Sequence, residues 1–198
     1  MVEKEVKNIF LSASIPLPER DPKYIDTSDI IAIRDSVIAL TTVALPHHRI
    51  VWGGHPSITP LIYYVMKKMN LNIQEHVRLY QSLWFEDKFP ADNNFFQNIE
   101  FIKKMNDLPS SIDLMRDRMM SDNDFSAAIF IGGMEGVEDE YKIFTKKYPE
   151  ALLLPIASTG AAAKIIYDEL LPQKFKDEDL IRNYGYMSLF QKLLINKI

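Results

Sequence analysis

The residues best equipped for chemistry in this chain gather around glycines. Gly132, Gly133 and Gly136 stand in the run IFIGGMEGVEDEY, with Met134 and Glu135 among them and Glu140 about one helical turn further on. An apolar run that stops at a glycine pair and resumes as an acidic segment reads as a buried strand, a tight turn and a helix N-terminus. Backbone N–H groups at such a junction lack intrahelical acceptors, and glycines let a ligand approach them, so phosphate or ribose is the expected occupant. The pattern recurs at Gly53 and Gly54, followed by His55 and Ser57, and again at Ser158, Thr159 and Gly160. Ser12 and Ser14 supply further hydroxyls from an early small-residue loop, with Arg20 the cation nearby. Glycine amides interleaved with hydroxyls suit the oxygens of a nucleotide. Neither glycine pair is followed by Gly-Lys-Ser/Thr, and GGMEG lacks the G-x-G-x-x-G spacing, so neither a Walker A loop nor a standard dinucleotide fingerprint is present.

The carboxylates and arginines add a second possibility. Cleavage of an N-glycosidic bond passes through an oxocarbenium-like sugar, which a nearby carboxylate stabilises while an arginine orients phosphate or base. Glu135, Glu138, Asp139 and Glu140 all lie where the helix dipole favours acidic residues for structural reasons alone, and Glu138 and Asp139 read as a solvated face. Arg116 and Arg118 are two apart on a helix and point to different sides, so at most one of them faces a cleft, and Arg118 is the candidate. His55 could bond a ribose or base, or cap its own loop. Tyr80, Gln81 and Trp84 could read a base, although aromatics at this density are more often core.

Composition narrows the field. A chain of 198 residues with 47% hydrophobic and 25% charged residues has the balance of a globular domain. No apolar run reaches the length of about 20 residues that spans a bilayer, and residues 1–10 are charged, so no membrane and a cytoplasmic location are expected. With no cysteine and with His47, His48, His55 and His76 away from ligand spacing, no metal site and no cofactor are expected. The net charge of −4 without a dense Lys/Arg block speaks against a nucleic-acid partner.

These residues must be held by elements the sequence also announces. Apolar or alternating runs predict strands at 8–11, 50–52, 77–81, 98–103, 127–131 and 151–154. Helices are predicted from Thr27 or Ser28 to about 45, over 56–70, after Pro109-Ser110-Ser111, over 136–147, to about 171, and once or twice within 177–198. Pro16, Pro18 and Pro22 exclude a regular helix from the loop 15–26, and 82–94 reads as a long aromatic loop. Alternating β and α with uniformly apolar strands implies a doubly wound, mainly parallel six-stranded Rossmann-like sheet with helices on both faces, in one domain over 1–198. Its core is expected over about 8–171, with 177–198 a helical extension. Of seven glycines, Gly53, Gly54, Gly132, Gly133, Gly136 and Gly160 follow predicted strands, and these loops emerge at the carboxyl edge where open α/β sheets bind ligands.

Two segments together are specific. VWGGHPSITPLI resembles the second-strand glycine loop, and LMRDRMM followed by IFIGGMEGVEDEY resembles the helix plus fifth-strand signature, of the SLOG superfamily. That superfamily contains the LOG phosphoribohydrolases, the DprA fold and nucleotide-signal sensors of bacterial antiphage systems. LSASIP, GGHPSI, GGMEGVEDE and ASTGAA resemble most the branch tied to bacterial conflict. The LOG enzymes carry Met-His-x-Arg-Lys before the fifth strand; Met115 and Arg118 match, while Arg116 replaces His and Met119 replaces Lys. Of their Pro-Gly-Gly-x-Gly-Thr-x-x-Glu, Gly132, Gly133, Gly136 and Glu140 match, Ile131 replaces Pro, Val137 replaces the phosphate-binding Thr, and one residue is added before Gly136. The resemblance implies binding of a nucleotide-derived small molecule, such as an NAD-derived or cyclic signal, reported to an effector protein or through a homo-oligomer. It implies alternatively an N-glycosidic hydrolase using Glu140 and Arg118; a scaffold that only mediates assembly is a third reading.

Overall fold

The computed structural model describes residues 5–69 and 74–198. Its centre is a six-stranded sheet of β1 (Asn8–Ser14), β2 (Arg49–Trp52), β3 (Val77–Ser82), β4 (Ile99–Ile102), β5 (Phe125–Gly132) and β6 (Leu152–Ile156). The order is β4-β3-β2-β1-β5-β6 and every pairing is parallel. All six predicted strands form. Parallel strands need crossovers that cover both faces, which is why β1, β2 and β5 are buried along most of their length instead of alternating between buried and exposed residues.

Eight α-helices fill the connections among the described residues: α1 (Pro22–Ile25), α2 (Ile30–Ala44), α3 (Thr59–Met69), α4 (Leu108–Ser121), α5 (Glu135–Lys147), α6 (Ala161–Ile165), α7 (Asp179–Arg182) and α8 (Tyr186–Phe190). Helices α2, α3 and α8 pack together on one side, α4 and α5 on the other. The strand order reverses between β1 and β5: the chain winds outward from β1 to β4, then returns to place β5 at the other flank of β1. Crossovers of constant hand running in opposite directions put their helices on opposite faces. They also leave a crevice at the carboxyl ends of β1 and β5.

Several boundaries differ from the sequence reading, each for a local reason. Helix α2 is capped by Asp29, whose carboxylate accepts the Ala32 N–H at 2.9 Å, while Thr27 uses its hydroxyl on the Ala161 amide at 3.0 Å. Asp107, not the Pro109 segment, caps α4 by accepting from Ser110 N–H at 2.8 Å. The proline-rich loop does contain a helix, the single turn α1, because Pro22 occupies its first position, where no N–H is needed. The segment 82–94 forms two short 3-10 helices, Leu83–Lys88 and Ala91–Phe95. Residues 70–73, where the reading ended α3, lie outside the described residues.

One hydrophobic core runs from Ile9 to Ile195. Phe10 stacks on Phe144 and meets Phe125 and Phe130 edge-on, joining β1, β5 and α5 with ring centroids 5.4, 5.7 and 6.2 Å apart. Leu189, Phe190, Leu193 and Leu194 are buried in the same core, with α8 against α2. The 177–198 segment is therefore a packed part of the fold and not an appended extension. No described helix is long and apolar enough to cross a membrane.

Candidate functional site

A cleft of about 220 Å³ opens where the strand order predicts one, over the carboxyl ends of β1, β2 and β5. Its floor is a three-residue hydrogen-bonded set drawn from three elements. Ser12, near the end of β1, donates its hydroxyl to Glu140 Oε2 at 2.5 Å, and Arg116 of α4 donates Nε–H to Glu140 Oε1 at 3.2 Å. A second Arg116 nitrogen donates to the Gly136 carbonyl at 3.0 Å, tying α4 to the first turn of α5. The Arg116 and Glu140 side chains are only 11% and 16% exposed, so each charge depends on the other for the solvation that burial removed.

The mouth is built from the loop after β1 and the start of α5. Arg20 reaches across to Glu135, nitrogen to oxygen 2.6 Å, with both side chains about half exposed. Behind this pair, Tyr24 donates its hydroxyl to Glu138 at 2.6 Å, and Lys23 approaches the same carboxylate at 3.7 Å. Burial and then the bond to Glu138 push the Tyr24 phenol up to about 12, so it remains the donor. Glu138 is thus a partly buried anchor for α1, not a residue of a solvated face; Asp139, 53% exposed, does lie on one. Among the described residues nothing accepts from the amides of Met134, Glu135 and Gly136, three residues that line the cleft at the positive end of the α5 dipole.

The loop after β2 closes the third side. Ser57 donates its backbone N–H to His55 Nδ1 at 3.2 Å, and its hydroxyl lies 2.8 Å from the same nitrogen. With Nδ1 accepting, the neutral ring carries its proton on Nε2. Burial pushes the imidazole below its ordinary value, favouring that neutral form. Thr59, fully buried, accepts from Trp52 Nε1 at 3.2 Å and from the His55 amide at 3.3 Å, which fixes the turn around Gly53 and Gly54. Ile58, Phe85, Ile112 and Met115 line the remaining wall, a surface suited to a flat base opposite the polar floor.

With this geometry in hand the comparison with known families is decisive. The profile of the SLOG cluster3 family matches residues 23–194. The chain belongs to this family. No curated protein matches it. SLOG membership suggests a nucleotide-related role for the chain, in ligand binding or in processing.

Within this SLOG fold the predicted site residues divide. Ser12, Ser14, Arg20, Gly53, Gly54, His55, Met134, Glu135, Gly136 and Glu140 line the cleft, and Ser57 supports it from behind His55. Gly132 and Gly133 lie underneath. The Gly132 amide donates to Thr159 Oγ1 at 2.8 Å and the Gly133 amide to the Ser14 carbonyl at 2.8 Å, so neither is free for an anion. Gly133 has φ +88°, and a Cβ there would meet Val137 Cγ2 at 2.3 Å; the glycine is needed for packing of the turn, not for ligand approach. Ser158, Thr159 and Gly160 do not line the cleft. Ser158 bonds Tyr186, Thr159 bonds Ile156 and Gly132, and Gly160 presses against Thr27, so the third glycine loop is structural support.

Arg118 is the clearest correction. It is 55% exposed and pairs with Asp122 one turn on at 3.5 Å, away from the cleft that Arg116 enters. Helical spacing held the signal: Ile112, Met115 and Arg116 fall at i, i+3 and i+4 on the face that lines the cleft, whereas position 118 lies on the far side. Phe85 and Ile112 carry no sequence signal of their own, and Trp84, an aromatic the sequence points to, is 39% exposed and does not line the cleft. Only the path of the 3-10 segment after β3 decides between Trp84 and its neighbour.

Proposed function

We propose that this chain binds a nucleotide-derived small molecule in the cleft and acts as a sensor of it, without cleaving it. The observation that carries this reading is the state of Glu140. Each of its oxygens already accepts a hydrogen bond, from Ser12 and from Arg116, so the carboxylate is engaged as a tie between β1, α4 and α5, with its remaining lone pairs left to accept from a ligand hydroxyl. The arginine matching the hydrolase pattern, Arg118, is turned to solvent, and Val137 offers no hydroxyl where the hydrolases have one. The free amides of the 134–136 turn with Arg20 suit a phosphate, the Ser12–Glu140 floor suits ribose hydroxyls, and the Ile112–Met115–Phe85 wall suits a base. An NAD-derived or cyclic nucleotide signal in antiphage defence fits this chemistry, reported to an effector protein or through a homo-oligomer. Exposed Ile30, Ile31 and Met187 on the packed helices α2 and α8 support self-association as the route.

Incubation with nucleoside monophosphates, NAD and ADP-ribose, followed by chromatography for free base and by thermal-shift measurement, tests the reading. The expected outcome is stabilisation with no released base. The second reading, N-glycosidic hydrolysis, is favoured by the placement of Glu140 beside Ser12 at the cleft floor, with Arg116 taking the role assigned to Arg118. Turnover that disappears in Glu140→Gln would establish it and end the pure-sensor reading.

A further inference from the structure

We infer that Glu135 is a specificity residue that restricts the cleft to nucleotides of low charge, accepting a phosphodiester or a single phosphate and rejecting a terminal polyphosphate tail. The inference rests on the binding role proposed above and adds the class of ligand. Four charged side chains line the cleft, Arg20, Arg116, Glu135 and Glu140, and they sum to zero. The two cations are already taken: Arg116 by Glu140 at the floor and Arg20 by Glu135 at the mouth. Glu135 also occupies the first turn of α5, where the helix dipole would otherwise attract a second phosphate. Its carboxylate is an internal counter-ion placed where a phosphate tail would extend.

One phosphate can be accommodated by the amides of the 134–136 turn, with Arg20 turning from Glu135 to share it. Each further terminal phosphate adds charge next to a carboxylate with no uncommitted cation in the lining to offset it. The described residues also gather no group of three or more His, Asp or Glu that could hold a divalent cation for that purpose. A nucleotide whose phosphates are esterified at both ends carries less charge and exposes no such tail.

Isothermal titration of the intact protein decides the matter. The probes are the nucleoside, monophosphate, diphosphate and triphosphate of adenine, guanine, cytosine and uracil, with NAD and ADP-ribose, in chelator so that no divalent cation masks the phosphates. In the best-bound series affinity is expected to fall roughly tenfold or more from monophosphate to triphosphate at about 0.1 M salt, and the fall narrows as salt is raised. Glu135→Gln, which keeps the shape and removes the charge, should abolish the fall; Arg20→Ala, which leaves Glu135 uncompensated, should steepen it. Affinity that climbs with each phosphate in the unmodified protein, or a fall that persists in Glu135→Gln, overturns the inference while leaving nucleotide binding intact. A panel in which nothing binds overturns the binding role and this inference together.

Discussion

Arg116 and Arg118 show how far residue type alone can mislead. Both are arginines in one short motif, yet Arg116 is 11% exposed and locked to Glu140, while Arg118 is 55% exposed and pairs with Asp122 at the end of its own helix. Truncating Arg116 to Ala strips a part-buried carboxylate of its partner and should cost about 2–4 kcal/mol, together with ligand binding. Arg118→Ala should cost no more than about 0.5 kcal/mol, since an exposed i, i+4 pair is worth little. Urea denaturation of the two variants separates these outcomes. His55 offers a titration test. Its folded-state value is lowered by burial, so below its ordinary value of about 6.5 the unfolded chain binds the proton more readily and stability falls as pH falls. Melting temperature should therefore drop between about pH 7 and pH 5, and the drop should be smaller in His55→Gln, which has no proton to gain. Protonation would also remove Nδ1 as an acceptor for Ser57, loosening the loop that carries Gly53 and Gly54.

At the scale of elements, the glycine loops that look alike in sequence do different work. The loop after β2 and the turn into α5 face the cleft, while the loop after β6 is a brace for β5 and α2. Gly160 adopts φ +70°, ψ −156°, a region open only to glycine, and a Cβ there would lie 1.8 Å from the Thr27 carbonyl oxygen. Gly160→Ala should destabilise by about 3 kcal/mol or more through strain and collision, read as a lost or strongly lowered thermal transition. Gly133→Val should likewise damage folding and not ligand affinity alone, because its side chain would enter Val137. Effects confined to ligand affinity are expected instead at positions 20 and 135, whose side chains are half exposed at the cleft mouth. The turn at Gly133 thus earns its glycine from below, by packing, although an anion-binding role from above is what its sequence suggests first.

For the whole molecule, the question is where the folding unit ends. Phe190 is fully buried in the core that also holds Phe10 and Phe130, so Phe190→Ala should cost about 3–5 kcal/mol in chemical denaturation. A value near zero would mean that the C-terminal segment only decorates the fold. Much of this architecture was legible from residue order. Six apolar or alternating runs separated by helix-competent segments left little choice but a parallel sheet, since hydrophobic burial on both faces of its central strands requires helices on both sides. The glycine and hydroxyl loops after β1, β2 and β5 marked the edge where the cleft lies, because strands, turns and helix N-termini are local consequences of local sequence. What tertiary structure decided was which groups meet. Ser12 and Glu140 are 128 positions apart, and Arg20 and Glu135 are 115 apart (135 − 20). No periodicity relates such pairs, because they are brought together by strand order and helix packing. The same packing turned Arg116 inward and Arg118 outward, and buried the loop at Gly160 under Thr27. The sequence by itself determined the sheet, the edge that carries the cleft and the residue types available there; the tertiary structure alone determined which of those charges pair with one another, since that depends on partners distant in the chain.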